Sequence, residues 1–370
     1  MIITRTIKFK LPNLTSEDVL NTLTNCTSAF NYICNIGYTD KDFNSVSLHN
    51  KTYSYCRSAF KLPSELTSQV RMQAAATIKA CIQRERKKHK TFSCPKSKLI
   101  SVQLSKNSFN VWFDKNLVSI LTCDGRLKTE IKISDFSKQY ISWKRKSATL
   151  QLKDSKVYLN IVFEKEILEP EYTDNVVGID RGIVNIVATS NGALFSSEHV
   201  YLTKNKYKTL RANLQSCGSK SAKRHLKRIS HKENRFMTDV NHCISKKIVE
   251  SCSKGTTLVL EKLTNIRDNS KKFRKTERAK INNWSFFQLE QFLVYKALAK
   301  GCKVEYVDAR YTSQKCSKCG HIDRSNRKDQ AHFKCTKCGF EMNADLNAAI
   351  NIENNFRAVV NQPIVASRNT

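Results

Sequence analysis

Over 370 residues, 64 lysines and arginines stand against 32 acids, a formal charge of +32. So basic a chain attracts polyanions. No stretch stays apolar over the roughly eighteen residues a membrane span takes, and the N-terminus, MIITRTIKFKLP, alternates apolar and basic residues where a signal peptide would carry an apolar run. Nucleic acid is therefore the first expected partner, with no membrane association, and the length suggests two or three domains.

Residues 1–12 read as a strand. LTSEDVLNTLTNCTSAFNYICNIGY carries Leu20, Leu23, Ala29, Phe30 and Ile33 at helical spacing, and Thr15 with Asp18 three residues on forms a capping-box variant. ELTSQVRMQAAATIKACIQRERKKHK predicts a second helix ending in Arg84, Arg86, Lys87, Lys88 and Lys90. Cations there suit the helix dipole, and five of them equally suit a phosphate-facing end. From Leu99 to about Glu166, segments such as ISVQLS, FNVWFD, VSILTC, TEIKIS, ATLQLK and KVYLNIVFEK alternate with period two. They predict a β-rich module, a barrel completed by the first strand. The turn WKRKS holds Lys144, Arg145 and Lys146 beside Trp143; it is either a solvated loop or a nucleic-acid contact.

Pro170 marks a boundary. VVGIDRGIVNIVATSNG then predicts two apolar strands joined near Asp180, Arg181 and Gly182, and residues 204–255 are basic and helical. TTLVLEKL is a short buried strand ending at Glu261, and IRDNSKKFRKTERAK is a mobile basic insertion. WSFFQLEQFLVYKALAKG is an amphipathic helix stopped by Gly301, with Trp284, Phe286, Phe287 and Phe292 in its core. CKVEYVDARY is a further strand and ADLNAAINI a last helix. Glu305 and Asp308 share that strand on opposite faces, so they cannot both reach one metal.

Of fourteen cysteines, ten (Cys26, Cys34, Cys56, Cys81, Cys94, Cys123, Cys217, Cys243, Cys252 and Cys302) have no framework spacing and read as reduced thiols. The other four form two CxxC pairs, Cys316 with Cys319 and Cys335 with Cys338, separated by fifteen residues. That spacing is a zinc ribbon: four thiolates close a tetrahedral site around one structural Zn2+. Gly320 and Gly339 permit the knuckle turns, and His321 and His332, left without a vacancy, read as surface residues.

Asp180 and Glu261 lie in apolar strands, where a carboxylate is costly unless paired or bound to metal, and Asp345 opens a helix just after the ribbon. Singly, each has an ordinary explanation: a turn residue, a strand-end charge, an acid favoured by a helix dipole. Together they suit two Mg2+ ions, with Mn2+ as the alternative, acting on a phosphodiester. Strand acid, strand acid and helix acid is the order of an RNase H-type nuclease core.

GIDRG (178–182), LVLEKL (258–263), YTSQKCSKCG (311–320), FKCTKCGF (333–340) and NADLNAAINI (343–352) resemble the TnpB (OrfB) transposon-associated proteins, relatives of type V CRISPR effectors and Fanzor proteins. The resemblance covers residues 170 to 358 closely; Ala309 and Arg310 stand where a Pro-containing turn is commoner. It implies an RNA-guided DNA endonuclease with a RuvC-like core, whose metal-binding acids would be Asp180, Glu261 and Asp345. Guide RNA and target DNA would be its partners, a short target-adjacent motif being recognised by the N-terminal part. Arg327 matches an Arg of the family's zinc module; it is either a cation at the scissile phosphate or a solvated loop residue. His242 resembles a family position and reads as a packing or hydrogen-bonding residue.

The expected organisation is an α/β and β multi-domain chain. Residues 1–12 and 95–168 would form the barrel, 13–94 a helical insertion, and 170–310 the nuclease core. Residues 311–341 would be the zinc-ribbon insertion, 342–358 the last core helix and 359–370 a disordered tail. The rivals are an RNA-guided binder that does not cut, a guide-independent transposase or resolvase, and a zinc-ribbon transcription factor. Oligomeric state stays open, as does location: cytoplasm or nucleoid in a prokaryote, nucleus in a eukaryotic or viral setting.

Overall fold

The structure, a computed structural model, describes residues 1–170, 173–263, 274 and 286–360. The expected basic insertion, apart from Arg274, lies outside the described residues, as do Trp284 and positions 361–370 of the expected tail. The chain forms two units, residues 1–167 and 168–370.

In the first unit, β1 (Ile2–Lys10) buries every second side chain over most of its length, as its alternation demands. Helix α1 (Ser16–Thr39) starts with the predicted capping box: the Thr15 amide donates to Asp18 Oδ2 at 2.6 Å and the Asp18 amide to Thr15 Oγ1 at 3.4 Å. Its buried stripe runs through Val19, Leu23, Cys26, Phe30 and Ile33. Leu20, expected inside, is exposed, because Val19 occupies the inward position one residue earlier. Helix α2 (Ser45–Ala59) was not anticipated: its inward positions Leu48, Thr52 and Cys56 include one aliphatic residue. Its signal lay at Asn44, whose side chain accepts the Val46 and Ser47 amides as N-cap. Helix α3 (Ser64–Lys88) packs against both.

Strands β2 (Val102–Leu104), β3 (Phe109–Trp112), β4 (Leu117–Thr122) and β5 (Gly125–Glu130) follow, then the short helix α4 (Asp135–Lys138) and the hairpin β6 (Lys144–Lys153) and β7 (Lys156–Glu166). The expected barrel is realised as two antiparallel sheets, β1-β7-β6-β2 and β3-β4-β5, around one core; a bridge from Lys10 to Lys132 links the chain between them. The expected basic turn at Lys144–Lys146 is instead the start of β6. An irregularity between Arg145 and Ser147 lets the strand pair with β7 while its cations stay exposed.

The second unit opens with the hairpin β8 (Val176–Asp180) and β9 (Asn185–Thr189), then β10 (Leu194–Ser196). Helices α5 (Glu198–Cys217), α6 (Lys220–Ile229) and α7 (Lys232–Ser251) form the basic helical stretch. Next come β11 (Thr257–Glu261), α8 (Phe286–Lys300) and β12 (Lys303–Val307). Phe286 is buried, but Phe287 is 72% exposed, on the outer face of α8 beside an inward neighbour. Two short strands, β13 (His332–Lys334) and β14 (Glu341–Asn343), belong to the cysteine-rich segment, and α9 (Ala344–Val360) closes the described chain. The sheet order is β10-β9-β8-β11-β12: β9 is antiparallel to both neighbours, while β8, β11 and β12 run parallel.

Helix α9 lies on β8 at Gly178, where a Cβ would stand 2.1 Å from the Ala349 carbonyl oxygen and 2.7 Å from the Glu353 amide. Both obstacles are helix backbone and cannot swing aside. Gly178→Ala is therefore expected to destabilise the protein by about 1–3 kcal/mol or more, the usual range for forced overpacking. Urea unfolding together with faster proteolysis within α9 checks this; unchanged stability and protection would contradict the close packing.

Candidate active site and metal centre

Parallel pairing decides where two of the predicted acids go. Leu260 pairs with Ile179, so Glu261 and Asp180 finish neighbouring strands at the same C-terminal end of the sheet. The third acid arrives on α9. Asn343 Oδ1 accepts the amides of Asp345 and Leu346 at 3.0 and 3.2 Å, an N-cap that fixes Asp345 in the first turn.

Each carboxylate has its own partners. Asp345 is buried; its Oδ1 accepts from Arg327 Nη2 at 3.0 Å and its Oδ2 from Asn185 Nδ2 at 2.8 Å. Glu261 is buried and accepts the Thr312 hydroxyl at 2.5 Å. Asp180 keeps part of its surface open to solvent, yet protein surrounds it on most sides. Burial, then the negative charges of Glu261 and Asp345, push its carboxyl up to about 8; Arg327 and the Arg181 amide oppose the rise. Burial also raises Glu261, with the Asp308 carboxylate adding to it and Thr312 and Arg181 working against it. Like charges in a partly dry pocket oppose joint ionisation, the condition a divalent cation relieves.

The four cysteines are the one group of three or more possible metal ligands, among the described residues, whose ligand atoms all lie within 4.8 Å of one another. Cys316 Sγ is 3.8 Å from Cys338 Sγ, and Cys319 Sγ is 3.6 Å from Cys335 Sγ. A tetrahedron with Zn–S bonds of about 2.3 Å has edges near 3.8 Å, so the set fits one zinc ion. The Gly320 and Gly339 amides close the knuckles on the Cys316 and Cys335 carbonyls at 2.9 and 3.0 Å, with φ of 75° and 70°. Buried Asn326 ties the two knuckles, donating to the Gln314 carbonyl and accepting the Thr336 amide. The carboxylates do not draw together this tightly; two cations about 3.5–4 Å apart need a wider ligand set.

The ribbon is joined to the acidic edge. Asn347 and Asn351, one turn apart on α9, both donate to the Lys315 carbonyl, at 2.8 and 2.6 Å, and Asn351 also to that of Thr312. Asn347 Oδ1 accepts the Ser317 amide inside the first knuckle. Arg327 reaches from the ribbon to Asp345, so it is no free loop cation. Sequence reasoning missed Asn185, Thr312, Asn347 and Asn351; buried asparagines in an otherwise apolar helix were the available signal. It also passed over Arg181, which is buried directly beside an acid.

Other residues take the ordinary reading. His242 stacks on Phe292 at 3.8 Å and meets the Tyr295 hydroxyl at 3.2 Å. Asp308 is exposed past the end of β12, and exposed His332 pairs with Asp329 at 2.8 Å. Among the basic candidates, Arg84 stacks over the Phe92 ring at 4.4 Å, Arg145 donates to the Val111 carbonyl, and Lys146 pairs with Glu164. Arg86, Lys87, Lys88 and Lys144 are exposed. Among the described residues no helix is long and apolar enough to cross a membrane.

The Asp180 shift has a consequence for stability. Without added divalent cation, the folded protein keeps this proton up to about pH 8, whereas an unfolded Asp releases it near pH 3.9. Between these values the folded state binds more protons, so stability falls as pH rises. Asp180→Asn should flatten that fall in urea unfolding measured from about pH 5 to about pH 8; parallel curves for the two proteins would contradict it.

Comparison with known proteins gives a consistent relationship. Residues 160–271 match the OrfB_IS605 family model, described as "Probable transposase", and residues 286–352 match "Cas12f1-like, TNB domain". A CRISPR-associated endodeoxyribonuclease Cas12f1 of Sulfoacidibacillus thermotolerans is 34% identical over 220 residues, 54% of this chain and 50% of that protein. The chain thus spans about half the length of that curated relative. A TnpB-like protein of Methanocaldococcus jannaschii is 26% identical over 257 residues, 65% of this chain and 91% of its own. The fold is similar to that of Cas12f1 in a solved complex with sgRNA and target DNA, at a TM-score of 0.65 and 14% identity over 95% of this chain and 99% of that one.

Proposed function

We propose that this chain, which belongs with the TnpB (OrfB) proteins and their Cas12f relatives, is an RNA-guided DNA endonuclease of RuvC type. The observation that carries the reading is the convergence of Asp180, Glu261 and Asp345 at one end of the central strands, on the strands and helix an RNase H-type core uses. The relatives' names, an endodeoxyribonuclease and TnpB-like proteins, support the same class.

Asp180, Glu261 and Asp345 would hold two Mg2+ or Mn2+ ions, oxygen ligands suiting these hard cations. Bound there, the metals would supply an activated water and stabilise the leaving oxygen of a phosphodiester. The protein's own residues do the rest. Thr312 and Asn185 orient Glu261 and Asp345, and Arg327 brings a guanidinium to the acidic edge, where it can neutralise a phosphate once the carboxylates are engaged. The zinc ribbon, its four cysteines saturating the metal, holds Arg327 and the Lys315 loop in place and takes no part in chemistry.

Guide RNA and target DNA would be the partners, and the charge of +32 their counterpart; binding should weaken steeply with salt. Base pairing would read the sequence, and residues 1–167 a short flanking motif, by analogy with guided effectors. Residues 170–310 with 342–358 would be the nuclease core and 311–341 its ribbon insertion. All three acids are filled, which favours cutting over binding alone.

The test is to purify the protein with RNA transcribed from its flanking DNA, replace the guide segment, and measure Mg2+-dependent cleavage. Cutting should follow the new guide, and Asp180→Ala, Glu261→Ala and Asp345→Ala should each lose about 10³-fold or more while RNA stays bound. Cleavage that ignores the guide, or survives Asp180→Ala, would overturn the reading.

A further inference from the structure

Arg181 is a buried charge that the cleavage reading leaves unused. Its side chain is 1% exposed although it follows Asp180 directly. Nη1 lies 2.6 Å from Glu290 Oε2 on α8, Nη2 donates to the backbone carbonyl of Glu261 at 2.6 Å, and Nε is buried without a hydrogen-bond partner. Glu290 is held in turn by the Tyr306 hydroxyl of β12 at 3.0 Å. One guanidinium therefore connects the ends of β8 and β11 to α8 and, through Glu290, to β12. Burying such an ion costs more than a single pair returns unless its geometry is used.

The strand ladder shows what the geometry does. The Thr257 amide donates to the Asn175 carbonyl. By the two-residue alternation of parallel strands, the backbone groups of Val259 and Glu261 also face β8. The next rung would run from the Arg181 amide to the Glu261 carbonyl. Pairing stops at Ile179 and Leu260 instead, and the chain turns away. The Arg181 side chain reaches the Glu261 carbonyl that the missing rung would have left open.

We propose that Arg181 is a positioning residue for the metal site: its side chain completes the β8–β11 ladder in place of its own amide, so that the end of β11 is held where it presents Glu261. Glu290 and Tyr306 fix the guanidinium in that role. Met cannot replace the bond to the Glu261 carbonyl, and Lys, with a single ammonium, cannot span it and Glu290 together. The inference rests on the proposed metal site and goes beyond it, since Arg181 need touch neither metal nor nucleic acid.

The test is Mn2+ binding to the purified full-length protein, followed by calorimetry and electron paramagnetic resonance, for wild type, Asp180→Ala, Arg181→Met, Arg181→Lys and Glu290→Gln. Near-ultraviolet circular dichroism reports whether each variant folds. Both Arg181 variants should weaken Mn2+ binding about 10- to 100-fold, the usual effect of removing a residue that orients a ligand, and Glu290→Gln should weaken it less. In guided cleavage, the Mn2+ concentration for half-maximal rate should rise by the same factor, with a smaller change in the rate at saturation. A structural role alone would lower stability without that split. Folded Arg181→Lys or Glu290→Gln protein with both Arg181-dependent quantities at wild-type values would overturn the inference while leaving the metal site intact. Wild-type protein whose Mn2+ binding does not depend on Asp180 would overturn both.

Discussion

Parallel pairing of β8 with β11 is the constraint on which the rest depends. It brings two carboxylates, 81 positions apart in sequence numbering, to adjacent strand ends with no freedom to separate. Gly178 then lets α9 lie against β8 at backbone contact, so that a helix N-cap delivers the third acid to the same edge. Carboxylates that the fold forces together in a partly dry pocket resist joint ionisation, and a divalent cation would relieve that resistance. The raised Asp180 carboxyl is the mark of that forcing in the protein itself.

The cysteine ribbon serves this edge from outside. Its four sulfurs suit one closed zinc site, and what the ribbon gives this edge is mechanical. Asn347 and Asn351 bind the first knuckle to the helix carrying Asp345, Thr312 holds Glu261, and Arg327 crosses from the second half of the ribbon to Asp345. Displacing the ribbon would therefore disturb two of the three acids at once. A cluster of four thiolates and a set of buried carboxylates, ligands of opposite character, are coupled through amide side chains.

Much of this was legible in the sequence because it is written in local patterns. Period-two alternation located β1 and most of β2–β7, the Thr15–Asp18 box located the start of α1, and CxxC spacing located the ribbon. The acids stood out because a charge in an apolar strand such as VVGID or TLVLE demands a reason. What was not legible depends on neighbours distant in sequence. Helix α2 shows one buried aliphatic residue and so lacked an apolar stripe. Leu20 and Phe287 are apolar residues beside better-placed inward neighbours, and composition cannot choose between them. Lys144–Lys146 looked like a turn because three cations rarely begin a strand, and only pairing with β7 makes them one. Arg181, Asn185 and Thr312 acquire their roles from residues 80, 160 and 51 positions away.

The central claim is that Asp180, Glu261 and Asp345 jointly hold divalent cations. Its most direct measurement is anomalous diffraction from crystals of the protein soaked in Mn2+. The account predicts manganese peaks bounded by these three carboxylates, lost together when Asp180 is replaced by Ala, with the zinc signal at the four cysteines unchanged. Manganese that binds elsewhere, or binds this edge equally well without Asp180, would contradict it.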